Sequence, residues 1–440
     1  MLGGAGATIT RMRGRRRLWI IVGAVCLVLL AGGAALAYWI TRPVADIHNA
    51  DAPFTPSSEP TTTTRPPPKT TKNGKHTVSW GIPWPTYGFN AQRTRDAAEL
   101  TSIHPPYATD WKVPQHALLE FPPSYANGSL YLGRDDGWVI AYRLKDGHVR
   151  WKHRFTQVLN QPAYANGRIF FGTWDRNGGG RIIALNASNG GTIWQHQAGQ
   201  PVESSMLVEN GIVYSGGNSG TVRALNAVTG KQLWTYQASG AVKDSLAYSG
   251  GRVFFGDYGG HMYALNAQNG HQIWKTSTHG LAGGLESGNF YSSPSVAYGR
   301  VYIGNTDSKL YSFVAATGQI AWTETMSGWA YGSPGVSGGR VFEASYNGQM
   351  TAFDARSGTP LWTRHLPYRS LGSCTVIGPL VYVADLGPGK SNGDLYAYNV
   401  GNGNLKWEFH DGKYHPVVAA NGHLVVAGNA TLYLMRPIGN

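Results

Sequence analysis

Two hydrophobic patterns divide the chain. Residues 18–40 form a run of 23 residues without a charged side chain, whereas apolar and polar positions alternate in short stretches beyond residue 80. An uninterrupted run is typical of a helix that crosses a bilayer, at about 1.5 Å per residue against a hydrocarbon core of about 30 Å. Alternation with a period of two is typical of half-buried strands. The pattern therefore predicts one membrane-spanning helix followed by an all-β domain.

The alternating part repeats a unit that ends in tryptophan, with glycine four residues before each Trp. The copies are AYRLKDGHVRW (141–151), ALNASNGGTIW (184–194), ALNAVTGKQLW (224–234), ALNAQNGHQIW (264–274), SFVAATGQIAW (312–322), AFDARSGTPLW (352–362) and AYNVGNGNLKW (397–407). A β-branched or aromatic stretch and a polar turn precede each copy. The unit therefore predicts a four-stranded antiparallel blade of about 40 residues.

The two ends of the repeat region complement each other. Trp111 lies 40 residues before Trp151 without earlier strands, and residues 423–435 contain strands without a terminal Trp. Pairing the N-terminal strand with the C-terminal strands completes one more blade and leaves no open sheet edge in the ring. We therefore predict an eight-bladed β-propeller over residues 80–440, closed by its own termini and monomeric.

The A-x-N/D-x-x-x-G-x-x-x-W repeat resembles that of PQQ-repeat propellers, the family that includes quinoprotein dehydrogenases and BamB. The opening WPTYGFNAQRTR at 84–95 is similar to the segment that leads into such propellers. The resemblance implies that each repeat Trp docks between neighbouring blades. These residues are Trp111, Trp151, Trp194, Trp234, Trp274, Trp322, Trp362 and Trp407.

The resemblance leaves function open, because one fold supports many functions. Quinoprotein dehydrogenases of the family carry a vicinal cysteine pair and a calcium cluster of Glu, Asn and Asp. This propeller contains one cysteine, Cys374, and its His and Cys residues lack metal-site spacing. We expect a non-catalytic scaffold without cofactor or metal. The alternative is a quinoprotein-like dehydrogenase or electron-transfer protein using pyrroloquinoline quinone and calcium.

Charge and composition predict the location and the structural type of the three N-terminal segments. Residues 1–17 hold five Arg and no acid, which places them in the cytoplasm by the positive-inside rule and accounts for the basic cluster without nucleic acid. Residues 18–40 are the predicted single-pass anchor in the cell membrane, and the propeller is then extracytoplasmic. Residues 41–79, rich in Pro and Thr, are predicted to be a disordered stalk. The alternative is a signal peptide cleaved after Ala35-Leu36-Ala37.

A binding site is predicted where the repeat is least regular. The insertions at 173–181, 278–291 and 385–394 fall on one face, together with a ring of residues that precede the inner strands. The candidate binding residues are Glu120, Asn160, Glu203, Lys243, Asp244, Tyr291, Tyr331, Tyr414 and His415. Aromatic faces beside directed polar groups suit an envelope protein, peptide or polymer as partner. The alternative is that these are solvated loop residues without a ligand.

Overall fold

Alternating apolar positions place the chain in strands, as their period of two requires. The structure, a computed structural model, describes residues 32–33, 44–56, 82–278, 288–389, 392–414 and 417–439. Asp46–Thr278 and Gly288–Asn440 form one compact unit, and a second unit comprises Met1–Ala45 and His279–Ser287. No helix among the described residues is long and apolar enough to cross a bilayer. The predicted anchor at 18–40 lies outside them, apart from the helical Gly32 and Gly33.

The strands form eight sheets with four-stranded antiparallel ladders, which confirms the predicted eight-bladed propeller. Blade 1 contains β3 (Ser124–Ala126), β4 (Ser129–Gly133), β5 (Trp138–Arg143) and β6 (Val149–Arg154). Blade 2 contains β7 (Ala163–Ala165), β8 (Arg168–Gly172), β9 (Arg181–Asn186) and β10 (Thr192–Gln197). Blade 3 contains β11 (Leu207–Glu209), β12 (Ile212–Ser215), β13 (Thr221–Asn226) and β14 (Gln232–Gln237). Blade 4 contains β15 (Ala247–Ser249), β16 (Arg252–Gly256), β17 (His261–Asn266) and β18 (Gln272–Ser277).

The second half of the ring repeats this order. Blade 5 contains β19 (Ser295–Ala297), β20 (Arg300–Gly304), β21 (Lys309–Val314) and β22 (Ile320–Thr325). Blade 6 contains β23 (Gly335–Ser337), β24 (Arg340–Ala344), β25 (Gln349–Asp354) and β26 (Pro360–His365). Blade 7 contains β27 (Thr375–Ile377), β28 (Leu380–Ala384), β29 (Gly393–Asn399) and β30 (Leu405–Gly412), with β1 (Asp96–Ala97) added parallel to β27. Blade 8 contains β31 (Val417–Ala420), β32 (His423–Ala427), β33 (Thr431–Pro437) and β2 (Tyr107–Pro114).

Blade 8 closes the ring as the sequence predicts. The N-terminal β2 pairs antiparallel with the C-terminal β33, from Tyr107 opposite Pro437 to Pro114 opposite Thr431. The first strands of neighbouring blades contact one another around the axis. Connections between blades, and those between the second and third strands of a blade, lie on one face, named the ring face. The turns between the first and second strands and between the third and fourth strands lie on the opposite face, named the turn face. Blade 8 lacks the turn between its third and fourth strands, because its fourth strand is the N-terminal β2.

Seven of the eight repeat Trp residues pack under the turn of the following blade. The indole nitrogen of Trp234 donates to the carbonyl of Ala267 over 3.0 Å. A side-chain carbon added to Gly270 would lie 2.7 Å from the same ring, and Gly270 has a φ of +74°. The glycine and the tryptophan of the motif are therefore parts of one contact between blades, and the carbonyl belongs to the residue three positions before the glycine. The same indole-to-carbonyl bond occurs in seven blades, from Trp111, Trp151, Trp194, Trp234, Trp274, Trp322 and Trp362.

Trp407 makes a different contact, because the chain termini replace the turn in blade 8. Its ring lies edge-on to Tyr107, with the two centroids 5.0 Å apart. Trp407 is half-buried, whereas Trp151 and Trp234 are each 8% exposed. Trp407 thus packs against the closing strand β2 of blade 8 rather than under a turn.

Residues 46–55, named the N-terminal strap, lie along the outer edge of blade 5. The amide of Asn49 donates to the carbonyl of Ala321 over 2.8 Å, and the amide of Thr323 donates to the carbonyl of Ile47 over 2.9 Å. This pairing corrects the prediction of a disordered stalk for these residues, while residues 57–79 lie outside the described part. A segment too polar to fold alone can still add to an exposed edge strand.

Two buried cations fix the ends of the N-terminal strap. The Lys309 ammonium lies 2.6 Å from Oδ1 of Asp46, and Nη2 of Arg300 donates to the carbonyl of Ala52 over 2.7 Å. Burial alone would raise the pKa of Asp46, but its contacts with Lys309 and Thr325 outweigh burial and lower that pKa. The ionised carboxylate is therefore the form that the folded strap favours.

We predict that Trp234→Ala destabilises the propeller by about 3–5 kcal/mol, because it empties a packed position between two blades. The melting temperature, followed by circular dichroism, measures this effect. The matched control is Leu233→Ala on the same strand, because Leu233 is 47% exposed. Equal melting temperatures for the two variants would contradict the docking role.

We predict that Asp46→Asn frees the N-terminal strap, because it removes the partner of Lys309. Hydrogen exchange of the Asn49 and Thr323 amides should accelerate in the variant. Since the pKa of Asp46 is lowered in the fold, the stabilisation is present at neutral pH and is lost as pH falls below about 4. Asp51→Asn, on an exposed strap position, is the control and should leave exchange unchanged. Equal exchange in both variants would contradict the role of the Asp46–Lys309 pair.

Candidate functional site

Residues 84–97, named the channel segment, wind around the propeller axis against the first strands of the blades. Backbone hydrogen bonds join Trp84 to Tyr125 in blade 1, and Ala91, Thr94 and Arg95 accept bonds from blades 4, 6 and 7. The sequence predicts this motif only as a lead-in to the propeller. The structure places it inside the ring, so within the described residues the channel is filled by this segment.

Tyr87 of the channel segment lies beneath the ring face. Its ring is edge-on to Phe121 at 5.7 Å, and its hydroxyl lies 3.1 Å from the hydroxyl of Ser373. The Arg95 guanidinium lies over the same ring at 4.5 Å from its centroid. Tyr87 is 2% exposed. These contacts hold Tyr87 in place at the base of the mouth, the name used here for the ring-face end of the channel.

Arg93 secures the channel segment from within. Its Nε donates to the carbonyl of Leu246 over 2.8 Å and its Nη2 donates to the carbonyl of Met206 over 3.1 Å. Its Nη1 donates to the hydroxyl of Thr86 over 2.7 Å. Burial, with a smaller effect of Arg95, lowers the pKa of Arg93 to about 9, so it remains charged at neutral pH.

A chain of serine hydrogen bonds links the blades just inside the mouth. The Ser245 amide donates to the hydroxyl of Ser293 over 3.1 Å, the Ser293 amide to Ser333 over 2.9 Å, and the Ser333 amide to Ser373 over 2.8 Å. The Gln161 amide makes the corresponding bond to Ser205 over 2.9 Å. Each of these bonds joins the segments that precede two neighbouring blades. The mouth is therefore built on a rigid frame.

Acidic candidates lie on the arc formed by blades 1 to 3. Burial, then the neighbouring carboxylates of Asp135 and Glu203, raise the pKa of Glu120. Glu203 itself accepts a hydrogen bond from Nδ2 of Asn218 and lies 3.5 Å from the Lys243 ammonium. This arc concentrates negative charge and favours a basic group on a ligand.

Two predicted residues serve the frame of the mouth rather than its surface. Asn160 is 1% exposed, and its amide donates to the carbonyls of Gly172 and Val202 over 3.0 and 3.2 Å. Asp244 accepts bonds from the Ser245 amide and the Ser293 hydroxyl. Burial raises the pKa of Asp244 despite those bonds. Asn160 is therefore part of the frame, because its side-chain amide is committed to the backbone.

Aromatic residues cover the opposite arc as one continuous cluster. Ring centroids lie 5.2 Å apart for Tyr258 and Tyr291, 5.1 Å for Tyr291 and Tyr331, 5.7 Å for Trp329 and Tyr331, and 5.5 Å for Trp329 and Tyr346. Trp329 is 47% exposed and Tyr291 is 39% exposed. These five residues are named the aromatic cluster. It extends the predicted Tyr291 and Tyr331 by three further rings.

A cation lies over each end of the aromatic cluster. The Lys243 ammonium is 5.2 Å from the centroid of Tyr258. The Arg369 guanidinium is 5.1 Å from the centroid of Tyr346 and donates to its hydroxyl over 3.0 Å. Such contacts hold the terminal rings in place. Tyr414 lies near Glu120, since burial and then that carboxylate raise the Tyr414 pKa, and His415 lies outside the described residues.

Other sequence candidates are also placed by the structure. The insertions at 173–181, 278–291 and 385–394 connect strands on the ring face, with 279–287 and 390–391 outside the described residues. Cys374 is fully buried, and burial with the nearby Glu343 raises its pKa well above its usual value.

Asp394, Glu408 and His410 bring potential metal ligands within 4.8 Å of one another on blade 7. The sequence spacing missed this exposed group because its members lie on two paired strands.

Known proteins resemble the chain over the blades. A family model described as outer membrane protein assembly factor BamB matches residues 105–206, 178–328 and 280–436, which together span the propeller. The chain belongs to the BamB-like family of PQQ-repeat propellers. Outer membrane protein assembly factor BamB of Moranella endobia (strain PCIT) is 30% identical over 104 residues, 21% of this chain and 25% of that protein. The chain thus matches about a quarter of that relative's length.

Solved structures match the BamB-like fold over most of the chain. BamB from Moraxella catarrhalis has a TM-score of 0.64 at 21% identity and covers 75% of this chain and 100% of its own. Quinohemoprotein alcohol dehydrogenase from Comamonas testosteroni has a TM-score of 0.67 at 14% identity and covers 82% of each chain. Similarity at these identities concerns the propeller architecture alone.

Proposed function

We propose that this BamB-like propeller is a membrane-tethered scaffold of the cell envelope, which binds an extended protein segment at the mouth of its ring face. The observation that carries the proposal is the aromatic cluster, which faces an acidic arc across a mouth floored by Tyr87. Five aromatic rings and a charged rim on a rigid frame are typical of recognition rather than packing. Residues 18–40 supply the tether to the membrane in this proposal.

The geometry of the aromatic cluster favours peptide side chains over a sugar polymer. The planes of Tyr291 and Tyr331 are inclined by 65°, and those of Trp329 and Tyr331 by 72°. Rings tilted in this way leave clefts for apolar side chains, whereas a flat sugar ring stacks best on one open aromatic face. The acidic arc across the mouth then suits basic residues beside the apolar ones. The ligand would be an extended segment with apolar and basic side chains.

The alternative of a quinone enzyme fits these residues poorly. A calcium cluster of Glu, Asn and Asp needs oxygen atoms that converge on one ion. In the mouth, Oδ1 of Asn160 accepts from the amide of Gly172, and Oδ1 of Asp244 accepts from Ser245 and Ser293. Both Oδ1 atoms therefore accept hydrogen bonds from the frame, which supports the binding scaffold.

We predict that Tyr291→Ala with Tyr331→Ala weakens partner capture about thirtyfold or more, because truncating aromatic anchors at an interface can cost about 2 kcal/mol or more. Capture by the full-length protein is measured from detergent-solubilised membranes, with mass spectrometry of the captured proteins. The melting temperature should change little, because Tyr291 is 39% exposed.

The control for this prediction is Asn210→Ala on the turn face, which should leave capture unchanged. Asn210 is exposed and bonds to the Tyr248 hydroxyl over 3.1 Å, away from the mouth. If capture falls equally in both variants, or in neither, the mouth is not the binding site.

We predict that the chain keeps its N-terminus inside and its propeller outside the membrane. A protease applied to spheroplasts should then remove the propeller and leave a membrane-held N-terminal fragment, detected by an N-terminal tag. Intact right-side-out cells without permeabilisation provide the matched comparison. Recovery of a soluble mature protein that begins near Tyr38 would replace the anchor by a cleaved signal peptide.

A further inference from the structure

The N-terminal strap shows how a blade of this propeller holds an extended peptide. Its backbone pairs with the outer strand β22, and the Arg300 side chain donates from Nε to the carbonyl of Pro53 and from Nη2 to the carbonyl of Ala52. Lys309 binds Asp46 at the other end. The edge strand and the two cations thus hold the strap against blade 5, together with the stacking of Phe54 on Tyr298.

Blade 2 repeats both cations at the same positions. Arg168 begins the second strand β8 as Arg300 begins β20, and Arg181 begins the third strand β9 as Lys309 begins β21. The Nε atoms of Arg168 and Arg181 are buried and have no hydrogen-bond partner within the described part of the chain. A buried donor without a partner is costly, since it loses its water without gaining an acceptor.

Arg181 is already partly engaged through its other nitrogens. Its Nη1 donates to Oε1 of Gln195 over 3.1 Å, and its Nη2 lies 3.4 Å from Oδ1 of Asp175. Arg168 is therefore the main unsatisfied donor on this edge, and Arg181 contributes positive charge at the ring-face end.

The space that the strap fills on blade 5 is open on blade 2. A side-chain carbon on Gly299 would lie 3.4 Å from Thr55 of the strap, whereas one on the equivalent Gly167 would meet nothing within 4 Å. On the outer strand, Ala321 is 1% exposed under the strap, whereas the equivalent Ile193 of β10 is 40% exposed. Covering Ile193 would remove apolar surface from water.

The outer strand of blade 2 also has the register needed for pairing. Trp194 pairs with Ala184 of β9 as Trp322 pairs with Ser312 of β21. The carbonyl of Ile193 and the amide of Gln195 therefore correspond to the groups of Ala321 and Thr323 that bond to the strap. An added strand would meet the same backbone pattern on both blades.

We propose that the outer edge of blade 2 (Arg168, Arg181 and β10) is a second peptide-binding site, which takes an extended acidic segment of a partner protein as an added strand. Carbonyls of the segment accept hydrogen bonds from Arg168, an apolar residue covers Ile193, and an acidic side chain lies toward Arg181. The site is separate from the ring-face mouth and does not depend on the function proposed there.

The test uses full-length protein in detergent and a fluorescent peptide with the sequence of residues 44–56, VADIHNADAPFTP. Fluorescence anisotropy should show saturable binding to one site, because the strap of the protein itself occupies blade 5. A benzophenone at the peptide position of Ala52 should cross-link to blade 2, near Arg168 or β10. A scrambled peptide of the same composition is the peptide control and should bind at least about tenfold more weakly.

Arg168→Gln should weaken binding about tenfold or more, because it removes a charge-assisted hydrogen bond. Arg168→Lys should weaken it as well, since lysine keeps the charge but lacks the planar donor fork. The matched control is Arg252→Gln, at the same position of blade 4, where His261 replaces Arg181; it should bind as the parent does. Melting temperatures confirm that all variants fold.

Several outcomes would overturn the proposal. Absence of saturable binding would show that the edge of blade 2 is closed to such a segment, for example by another part of this chain. Cross-links to β22 alone would mean that the peptide exchanges with the strap on blade 5. If Arg168→Gln or Arg168→Lys bound the peptide with unchanged affinity, the guanidinium of Arg168 would not take part in peptide binding.

Discussion

The packing of seven repeat tryptophans under the turn of the next blade is the interaction on which the propeller depends. A single Trp donates its indole N–H to a carbonyl of the following blade and occupies the space above a glycine, as Trp234 does with Ala267 and Gly270. The bond satisfies a polar group that would otherwise be buried without a partner, while the ring fills the gap between two sheets. Because the contact needs the glycine and the tryptophan together, these two recur in the sequence at fixed spacing, while the carbonyl can come from alanine, Leu144 or Val400.

Much of the fold could be predicted for that reason. The period of two defines the strands, the Trp spacing defines the blades, and the incomplete units at the two ends predict the pairing of β2 with β33. The partners of the termini were harder to predict. Composition indicated that residues 41–79 could not fold alone. Such a segment can still dock on a folded domain, and the strap does so by adding to the edge of β22. No local pattern marks this edge in advance, since its cations Arg300 and Lys309 look like ordinary surface residues in the sequence.

The candidate site was predicted in part. Alignment on the inner strands found Tyr291 and Tyr331, because those residues occupy equivalent positions in successive repeats. It missed Trp329 and Tyr346, because they lie at other positions in the ring-face connections and meet the tyrosines only in three dimensions. Asn160 shows the opposite error, since alignment placed it at the mouth but could not show that its amide bonds to Gly172 and Val202. Tyr87 was missed as well, because sequence gave no reason to place residues 84–97 within the ring.

The docking of the tryptophans also explains why sequence variation collects on the ring face. The Trp rings pack under turns of the turn face, so those turns must stay short and keep their glycine; an inserted residue there would push a turn away from the ring it covers. Connections on the ring face have no such partner and can lengthen, as the insertions at 173–181, 278–291 and 385–394 do. The chain of serine hydrogen bonds holds the inner strands beneath these connections. The connections on the ring face can therefore vary in length and sequence without disturbing the tryptophan contacts.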